Sequence, residues 1–527
     1  MLLSLLLWIA QAMYAHTLAG NTGAASIAAL PKGQPFTRKQ AYAFLDAAQR
    51  AEAIKNPLKR CLAYPDPPGS HWDHDAVVAY CHYHNQPIVT PARVRRLIRE
   101  GRAAELDRLF AQALHAQLDE PGAHGRFDHA MYEDFDSVSP AIRALLDRWK
   151  RESPNSAYAY TASGIAYVDA AFTARGTDYL SKTPKSKIEA MNRLAGLADK
   201  DLQRAVKLNP RVTAAYDAMV NLGGAESEPV SYALSAVRRG LAVQPDDWAI
   251  FDTFMWLEQP NWDGSFDDMA MVNRTAQQRA KSNPLLKLLM PAEDFYRIDH
   301  CHCAEKIELP AYIGALAHLG DIDELSDAAY TAKDVGNKPT MAIYLSEELR
   351  FDPDKDNARI DRMYALVDFD YLDWAIRDGD RLIAKSPRNE YAVKARGWAY
   401  LIKNDLPDAE RDFETANALD PSDEWARSQL IGTYFSLKRW HKAWSMADRL
   451  IRQNPKKLEG WMLRADIQRL QPRPGLRATI HVMATHFKKY DKNPKFQAYL
   501  AHLRSIARKQ GQPHWNSKDV ISLKAKS

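Results

Sequence analysis

The sequence predicts an all-α fold in which pairs of helices stack into a solenoid. Apolar residues recur at i, i+3 and i+4 in many segments, and few segments alternate with period 2. Three prolines, Pro387, Pro421 and Pro455, are evenly spaced. Each follows a segment of helical pattern, which it ends because proline lacks a backbone N–H and clashes with the preceding turn. Their spacing of about 34 residues is typical of one helix pair per repeat.

The segment 390–423 shows the repeat most clearly. Counted from Glu390 as position 1, it places small residues at positions 8 and 20 (Gly397, Ala409) and larger ones at positions 11 and 24 (Tyr400, Phe413). Small residues let the two helices of a pair approach closely, and the large ones fill the space between neighbouring pairs. With proline at position 32, these residues resemble the signature of tetratricopeptide (TPR) repeats.

Further repeats follow the same phase. One begins at Asp356, one at Glu424 and a fourth at Leu458, although the second helix of the fourth is interrupted by the sequence QPRPG at 471–475. Earlier in the chain, a repeat begins at Ala157, and Pro210 and Pro245 end later helical segments with similar spacing. An insertion, 168–197, separates the two halves of the repeat that begins at Ala157. We therefore predict a TPR-like α-solenoid of helix pairs with insertions.

Four segments of the first half stand out beside this periodicity. They are LIREGRAAELDRLF (97–110), YEDFDSVSP (132–140), the segment 154–167, and PNWDGSFDDMAMV (260–272). Together they resemble a bacterial domain family of unknown function that often accompanies TPR repeats, over about residues 91–284. The resemblance implies a helical-repeat protein and no particular activity.

The N-terminal segment resembles a secretory signal peptide. Residues 2–12, LLSLLLWIAQA, form an apolar run that is too short to span a bilayer, and small residues follow it. No Lys or Arg precedes the run, so an N-terminal anchor or a buried first helix are the alternatives. We expect a periplasmic or otherwise exported protein.

The first helical module begins with a capping box. Thr37 and Gln40 have the required spacing, and the helix should run to about Ile54. The following segment, 58–75, contains three prolines and a glycine and is predicted to be a loop with little apolar content to hold it.

We predict six segments along the chain. They are a signal peptide or N-terminal anchor (1–28), a small helical and loop module with Cys61 and Cys81 (29–90), a helical domain of unknown function with degenerate repeats (91–290), a connector with Cys301 and Cys303 (291–355), C-terminal TPR repeats (356–475), and a basic capping helix and tail (476–527).

The charge of the chain is uneven. The net charge is +5, yet residues 471–527 carry 12 Lys and Arg against two Asp, a net charge of +10. Such a tail can contact nucleic acid or an anionic membrane surface. We favour a solenoid cap with a solvated basic face, because terminal repeats need a polar outer side. No nucleic-acid partner is expected.

The four cysteines fit an exported, oxidised chain. A bridge between Cys61 and Cys81 would close the proline-rich loop and stabilise it by about 3 kcal/mol in the chain-entropy model. Cys301 and Cys303 would then pair with each other or remain thiols. A zinc or copper site is the alternative.

The metal alternative would use His71-x-x-His74, Cys81-x-x-His84, or the run DHCHCAE at 299–305. Neither cluster has an established ligand spacing, so no metal and no cofactor are expected.

No enzyme is predicted. The chain contains no G-x-S-x-G, P-loop, G-x-G-x-x-G or H-E-x-x-H motif. The acidic runs YEDFDS (132–137) and WDGSFDD (262–268) are better explained as the lead-in to a helix N-terminus and as a turn between helices.

A partner-binding groove is the most concrete functional expectation. In TPR proteins the first helix of each pair lines the concave groove, and the family's groove positions are 2, 5, 9 and 12. Carried over to the two best repeats, they select Tyr391, Lys394, Trp398, Leu401, Trp425, Ser428 and Phe435. Exposed aromatic residues anchor many interfaces. The alternative is that these aromatics pack between helices.

The sequence thus favours an exported, non-enzymatic scaffold that binds a protein or peptide. A metal- or thiol-dependent envelope protein, and a cytoplasmic repeat protein whose tail contacts nucleic acid, are the alternatives.

Overall fold

The computed structural model describes residues 29–135, 139–177, 182–225, 230–471, 473–490 and 492–509. Every regular element among these residues is a helix, which confirms the all-α prediction. The chain divides into two compact units, Met1–Ala358 and Arg359–Ser527. The predicted signal peptide, residues 1–28, lies outside the described residues. None of the described helices is both long and apolar enough to cross a bilayer.

The first unit consists of helices joined by short connections and two 3-10 turns, Pro260–Trp262 and Pro284–Leu289. Its helices are α1 (Arg38–Glu52), α2 (Pro57–Ala63), α3 (His74–Asn85), α4 (Pro91–Arg99), α5 (Ala103–Asp119), α6 (Arg126–Phe135), α7 (Pro140–Glu152), α8 (Ala157–Arg175), α9 (Lys185–Leu208), α10 (Thr213–Leu222), α11 (Val230–Val243), α12 (Trp248–Leu257), α13 (Phe266–Gln277), α14 (Ala292–Asp299), α15 (Glu305–Ala315), α16 (Ile322–Asp334) and α17 (Lys338–Phe351).

The second unit begins within α18 and ends with the last described helix. Its helices are α18 (Asp356–Asp368), α19 (Leu372–Lys385), α20 (Glu390–Ile402), α21 (Leu406–Leu419), α22 (Glu424–Ser436), α23 (Trp440–Gln453), α24 (Leu458–Leu470), α25 (Leu476–His486) and α26 (Pro494–Lys509), with a 3-10 turn at Lys488–Tyr490.

The repeat period is visible directly in the helix boundaries of the second unit. The first helices of its pairs, α18, α20, α22 and α24, begin at equal intervals, and the second helices α19, α21 and α23 begin at the same interval. This interval equals the spacing of the three prolines. The helix pairs themselves therefore establish the TPR-like architecture. The interrupted fourth repeat does form a second helix, α25, which follows Gly475 in a left-handed conformation (φ 95°).

Close approach of the paired helices follows from the small residues of the signature. A Cβ atom placed on Gly397 would lie 3.1 Å from Cβ of Asp412 and 3.3 Å from the ring of Phe413. Ala409 and Phe413 are completely buried on the facing helix. Position 8 therefore sets how closely α20 and α21 pack.

The first unit contains longer pairs with the same design. Gly164 of α8 contacts Leu202 of α9, where an added Cβ would lie 2.5 Å from the leucine Cγ atom. The expected insertion is largely helical, because it lengthens both members of this pair. The pairs α10–α11 and α12–α13 continue the array.

The proline-rich segment differs from its prediction. Its first part forms α2, which the Asn56 side chain caps by accepting from the N–H of Lys59, with Pro57 at the first helical position. The rest is held on the unit by polar contacts, because Arg350 donates to the Cys61 carbonyl at 2.8 Å and to Asp66 at 2.8 Å. The indole of buried Trp72 is anchored in the same way on a backbone carbonyl. The segment is therefore better held than its composition suggested.

Candidate partner-binding groove

Helix α20 presents four of the seven predicted groove residues on one side. Tyr391, Lys394, Trp398 and Leu401 follow one another at helical spacing, which places them on one face of the helix. Trp425, Ser428 and Phe435 belong to α22, the equivalent helix of the next pair.

The structure brings the two tryptophans of this set together. The ring centroids of Trp398 and Trp425 lie 5.6 Å apart at an interplanar angle of 62°. Trp425 also contacts Phe413, with centroids 6.1 Å apart, and Phe413 is fully buried. Trp425 nevertheless keeps 40% of its surface exposed. One edge of this indole rests on the core and the other faces solvent, so both interpretations of the aromatics hold at this residue.

Tyr391 and Lys394 form the second part of the groove. Tyr391 is 57% exposed, and the ammonium of Lys394 lies 5.0 Å from its ring centroid. Lys394 donates to the Asp423 carboxylate at 2.6 Å. Partial burial opposes ionisation of Asp423, yet the bonds from Lys394 and from the N–H of Ala426 hold the pKa of Asp423 below its ordinary value. The lysine charge is thus neutralised locally.

The remaining predicted residues are less prominent. Leu401 and Phe435 are half-buried and pack on the apolar core that contains Leu430 and Tyr434. Phe435 also contacts Trp440 of α23, with ring centroids 5.4 Å apart. Ser428 is exposed. Trp398 is also half-buried against this core, but its ring meets that of the exposed Trp425. We therefore centre the groove surface on Tyr391, Trp398 and Trp425, a set that we call the aromatic surface.

Tyr364 joins this surface and was missed. It occupies position 9 of the repeat that begins at Asp356, the position that Trp398 holds in the next repeat. Its ring centroid lies 6.3 Å from that of Trp425. Burial, followed by the negative charge of Asp423, raises the pKa of Tyr364, so its hydroxyl stays protonated. The same phase rule applied one repeat earlier would have selected it.

A repeating arginine–aspartate ion pair joins the first and second helices of two repeats and so positions the groove helices α18 and α20. Arg362 binds Asp378 with its Nε at 3.0 Å and Nη2 at 2.8 Å from Oδ2, and both side chains are buried. One repeat later, Arg396 donates to Asp412 at 2.8 Å and to Asp380 at 2.6 Å. Bidentate pairs of this kind fix orientation as well as distance. The arginine is at position 7 and its intra-repeat aspartate at position 23.

The third repeat replaces this ion pair with apolar residues. Leu430 and Met446 occupy positions 7 and 23 there, and both are buried in the same apolar cluster. The sequence shows that Arg recurs at position 7 and Asp at position 23. It does not show whether such an ion pair is buried or exposed to solvent.

The cysteines fall into two pairs. The Sγ atoms of Cys61 and Cys81 are 2.00 Å apart, and those of Cys301 and Cys303 are 2.09 Å apart, so both pairs lie at disulfide distance. Within the described ranges, no three His, Cys, Asp or Glu side chains converge as a metal site would require.

The two acidic runs serve local structure where they are described. Asp263 has a left-handed conformation (φ 67°) in the turn before α13, and Ser265 caps α13 by accepting from the N–H of Asp268. Tyr132 to Phe135 belong to α6, while residues 136–138 lie outside the described part of the chain.

Buried carboxyl groups are concentrated in the first unit instead. Burial raises the pKa of Asp217 on α10 to about 7 and that of Asp252 on α12 to about 8. Burial, and then the neighbouring Asp128, raise the pKa of Asp247 as well. Asp247 Oδ2 finds no donor among the described residues other than a protonated carboxyl. Burial thus disfavours ionisation of both carboxyls of the Asp128–Asp247 pair and raises the pKa of each.

Comparisons with known proteins support the resemblance and add little on function. Residues 90–230 match the model of a family described as a domain of unknown function (DUF4034). This bears out the resemblance, although Pro260–Val272, which was counted with it, lies beyond the matched segment. No curated protein matches the chain.

The solved structures that match the chain include TPR proteins. The TPR domain of P58(IPK) is 13% identical over 76% of this chain and 98% of its own, with a TM-score of 0.22. Yeast Tom70 is 10% identical over 80% of this chain and 96% of its own, with a TM-score of 0.30. The APC/C hetero-tetramer Cut9-Hcn1 gives 10% identity over 88% of this chain and 95% of the solved one, with a TM-score of 0.30. Scores this low carry no argument about function.

Proposed function

We propose that this chain, a TPR-like helical protein whose residues 90–230 match a domain family of unknown function, is a non-enzymatic scaffold that binds a protein or peptide. The observation that carries the proposal is the aromatic surface. Tyr391 and Trp425 remain 57% and 40% exposed on α20 and α22, the first helices of two consecutive pairs. Exposed aromatics on a fixed backbone are typical interface anchors.

The partner should present an apolar or aromatic side chain to this surface. Lys394 is neutralised by Asp423, so the surface offers little net charge. The Trp398 and Trp425 rings meet at a large angle, which leaves ring faces and edges for a further apolar group. Gly432, at position 9 of the third repeat, adds open space, because a Cβ atom built there has no neighbour within 4 Å.

We propose that the protein is exported. Residues 2–12 support this because they resemble a signal peptide, and both cysteine pairs at disulfide distance suit an oxidising compartment. The thiol- and metal-dependent alternative loses its thiolate ligands when these sulfurs are paired.

Affinity capture with matched variants tests the proposed binding surface. The full-length protein is immobilised and exposed to an envelope extract. Trp398→Ala and Trp425→Ala should each reduce capture of a specific partner at least about tenfold, since interface tryptophans commonly contribute about 2 kcal/mol or more. Thr415→Ala is the control, because Thr415 is exposed on α21, the second helix of the pair, and is not a groove residue.

Circular dichroism separates loss of binding from loss of folding. If a tryptophan variant loses helicity, the residue belongs to the core, and Tyr391→Ser then replaces it in the test because Tyr391 is the most exposed member of the surface. Capture that is equal for wild type, Tyr391→Ser and Thr415→Ala would reject the aromatic surface as the binding site.

A further inference from the structure

A cavity of about 740 Å³ lies in the first unit. It is lined largely by first helices of helix pairs, the kind of helix that carries the aromatic surface in the second unit. It is lined from α6, α8, α10, α12 and the 3-10 turn that follows α12. Ile165, Asn221 and Trp256 line it, and each is the ninth residue of its helix, the position that Trp398 has in α20. The cavity is therefore the groove side of the degenerate repeats.

Three aromatic rings form one corner of the cavity. The centroids of Trp256 and Trp262 lie 4.4 Å apart. Phe172 stands nearly perpendicular to both, at 85° and 89°, with centroid distances of 6.3 Å and 6.4 Å. Rings in this arrangement leave faces against which a flat apolar group can pack. The volume lies in the range of small-molecule sites.

The polar groups of the cavity are mainly unused donors. Arg175 places its guanidinium carbon 5.4 Å from the Trp262 centroid and, within the described ranges, forms no hydrogen bond or ion pair. Nε1 of Trp262 is buried and has no acceptor among the same residues. The Asn221 side chain makes no hydrogen bond to a described residue either. Asp169, the one carboxylate of the lining, already interacts with a neighbour.

Donors that have no partner among the described residues, beside aromatic rings, indicate which ligand chemistry this cavity suits. A buried N–H without an acceptor is costly, and a guanidinium without a counterion favours a carboxylate, which it can bind through two hydrogen bonds. We propose that this cavity binds a ligand with a carboxylate next to an aromatic ring, the ring packing in the corner formed by Phe172, Trp256 and Trp262 and the carboxylate binding Arg175.

Two sources share this chemistry: a free aromatic acid, and the carboxyl-terminal aromatic residue of a peptide. Calorimetric titration of the full-length protein distinguishes them with two probes, indole-3-acetate and the peptide Ala-Ala-Ala-Trp with a free carboxyl group. The matched neutral probes are indole-3-acetamide and the same peptide with an amidated C-terminus.

We expect one of the acidic probes to bind at a single site and its neutral analogue to bind at least about tenfold more weakly, as loss of a charged hydrogen bond predicts. Arg175→Gln should weaken the acid about as much, and Trp262→Phe, which keeps the ring and removes the N–H, by a smaller factor. Arg239→Gln is the control, because Arg239 also stacks on an aromatic ring, 5.1 Å from Tyr216, on the exposed side of α11.

Three results would overturn the proposal. The first is that neither acidic probe binds at about 1 mM, a concentration at which a few well-placed contacts suffice for binding. The second is equal affinity for an acid and its neutral analogue. The third is an equal loss of affinity in Arg175→Gln and Arg239→Gln. Unchanged thermal melting of Arg175→Gln shows that any loss of binding is local.

Discussion

The tryptophans of the second unit show how far position within a repeat determines a residue's surroundings. Trp398 and Trp425 were selected by counting from Glu390 and from Glu424, and the structure places their rings in contact. Counting gave no information on exposure, because that depends on which neighbours fill the adjacent positions. Phe435 follows the same count and packs on Trp440 instead. Phase therefore predicts the helix face, and packing decides which residues on that face stay open.

Buried carboxyl groups predict an unusual pH dependence for the stability of the first unit. The pKa values of Asp217 and Asp252 are raised to about 7 and about 8, and burial raises that of Glu347 to about 8. These acids hold protons in the folded state that the unfolded chain has already lost above about pH 5. The free energy of unfolding should therefore fall by a few kcal/mol between about pH 6.5 and 8 and level off above.

The pH range of the measurement matters because His84 affects the pH dependence of stability in the opposite direction. Burial lowers the pKa of His84 to about 3, so its contribution increases stability with pH only up to its unfolded value near 6.5. His124 and His129 act in the same sense as His84. The unfolded histidines are neutral above about pH 7.5, so the carboxyl effect dominates chemical denaturation between about pH 6.5 and 9. Asp217→Asn and Asp252→Asn should flatten the profile, and a stability that rises over this window would contradict the assignment.

Two helical glycines should respond to alanine in opposite directions. At Gly164 the new Cβ would lie 2.5 Å from Leu202, so Gly164→Ala should destabilise the protein by about 1–3 kcal/mol through overpacking. At Gly432 a Cβ meets nothing within 4 Å, so Gly432→Ala should stabilise by up to about 1 kcal/mol through helix propensity. Thermal melts of the two variants measure both effects. A change of melting temperature in the same direction for both variants would contradict the packing described.

At the scale of elements, the helix starts were the most predictable feature. The capping box of Thr37 and Gln40 forms as expected at the start of α1. Helix α2 was missed because the prolines after it masked the start signal at Asn56–Pro57. The lengths of α8 and α9 were missed because the insertion appears in the sequence only as an interruption of the repeat spacing. That interruption does not show whether the inserted residues are helical.

The turn between the helices of each pair is a second repeating element. Asp370, Asn404 and Lys438 all occupy position 15 of their repeats and have left-handed backbone conformations, with φ of 66°, 63° and 56°. Asn and Asp tolerate this region better than other side chains, and Gly best of all.

Lys438 is therefore the least suited residue at this turn. Lys438→Gly should stabilise the protein by about 0.5–1 kcal/mol, since the strained conformation no longer carries a Cβ. Asn404→Ala should destabilise it by a similar amount. Denaturant midpoints of both variants provide the measurement, and a loss of stability in Lys438→Gly would show that the turn needs the lysine side chain for another reason.

At the scale of the molecule, regularity of the sequence determined what could be predicted. The second unit keeps a constant repeat phase, so its fold and the face of its groove could be predicted from the sequence. The first unit has the same design with lengthened helices, and its cavity beside Trp256 and Trp262 was missed. Position 9 would have selected Trp256 if Pro245 had been used to set the phase. Trp262 lies in the 3-10 turn after α12, so counting repeat positions along a helix could not have selected it.

The central claim is that the aromatic surface of α20 and α22 binds a partner protein. Site-specific photo-crosslinking in intact cells tests it most directly, with p-benzoylphenylalanine placed at Tyr391, exposed on α20, or at the control position Thr415, exposed on α21. We predict a discrete cross-linked product from position 391 that is absent from position 415 and is lost when Trp425→Ala is added. No product from position 391, or one that persists unchanged in Trp425→Ala, would contradict the claim.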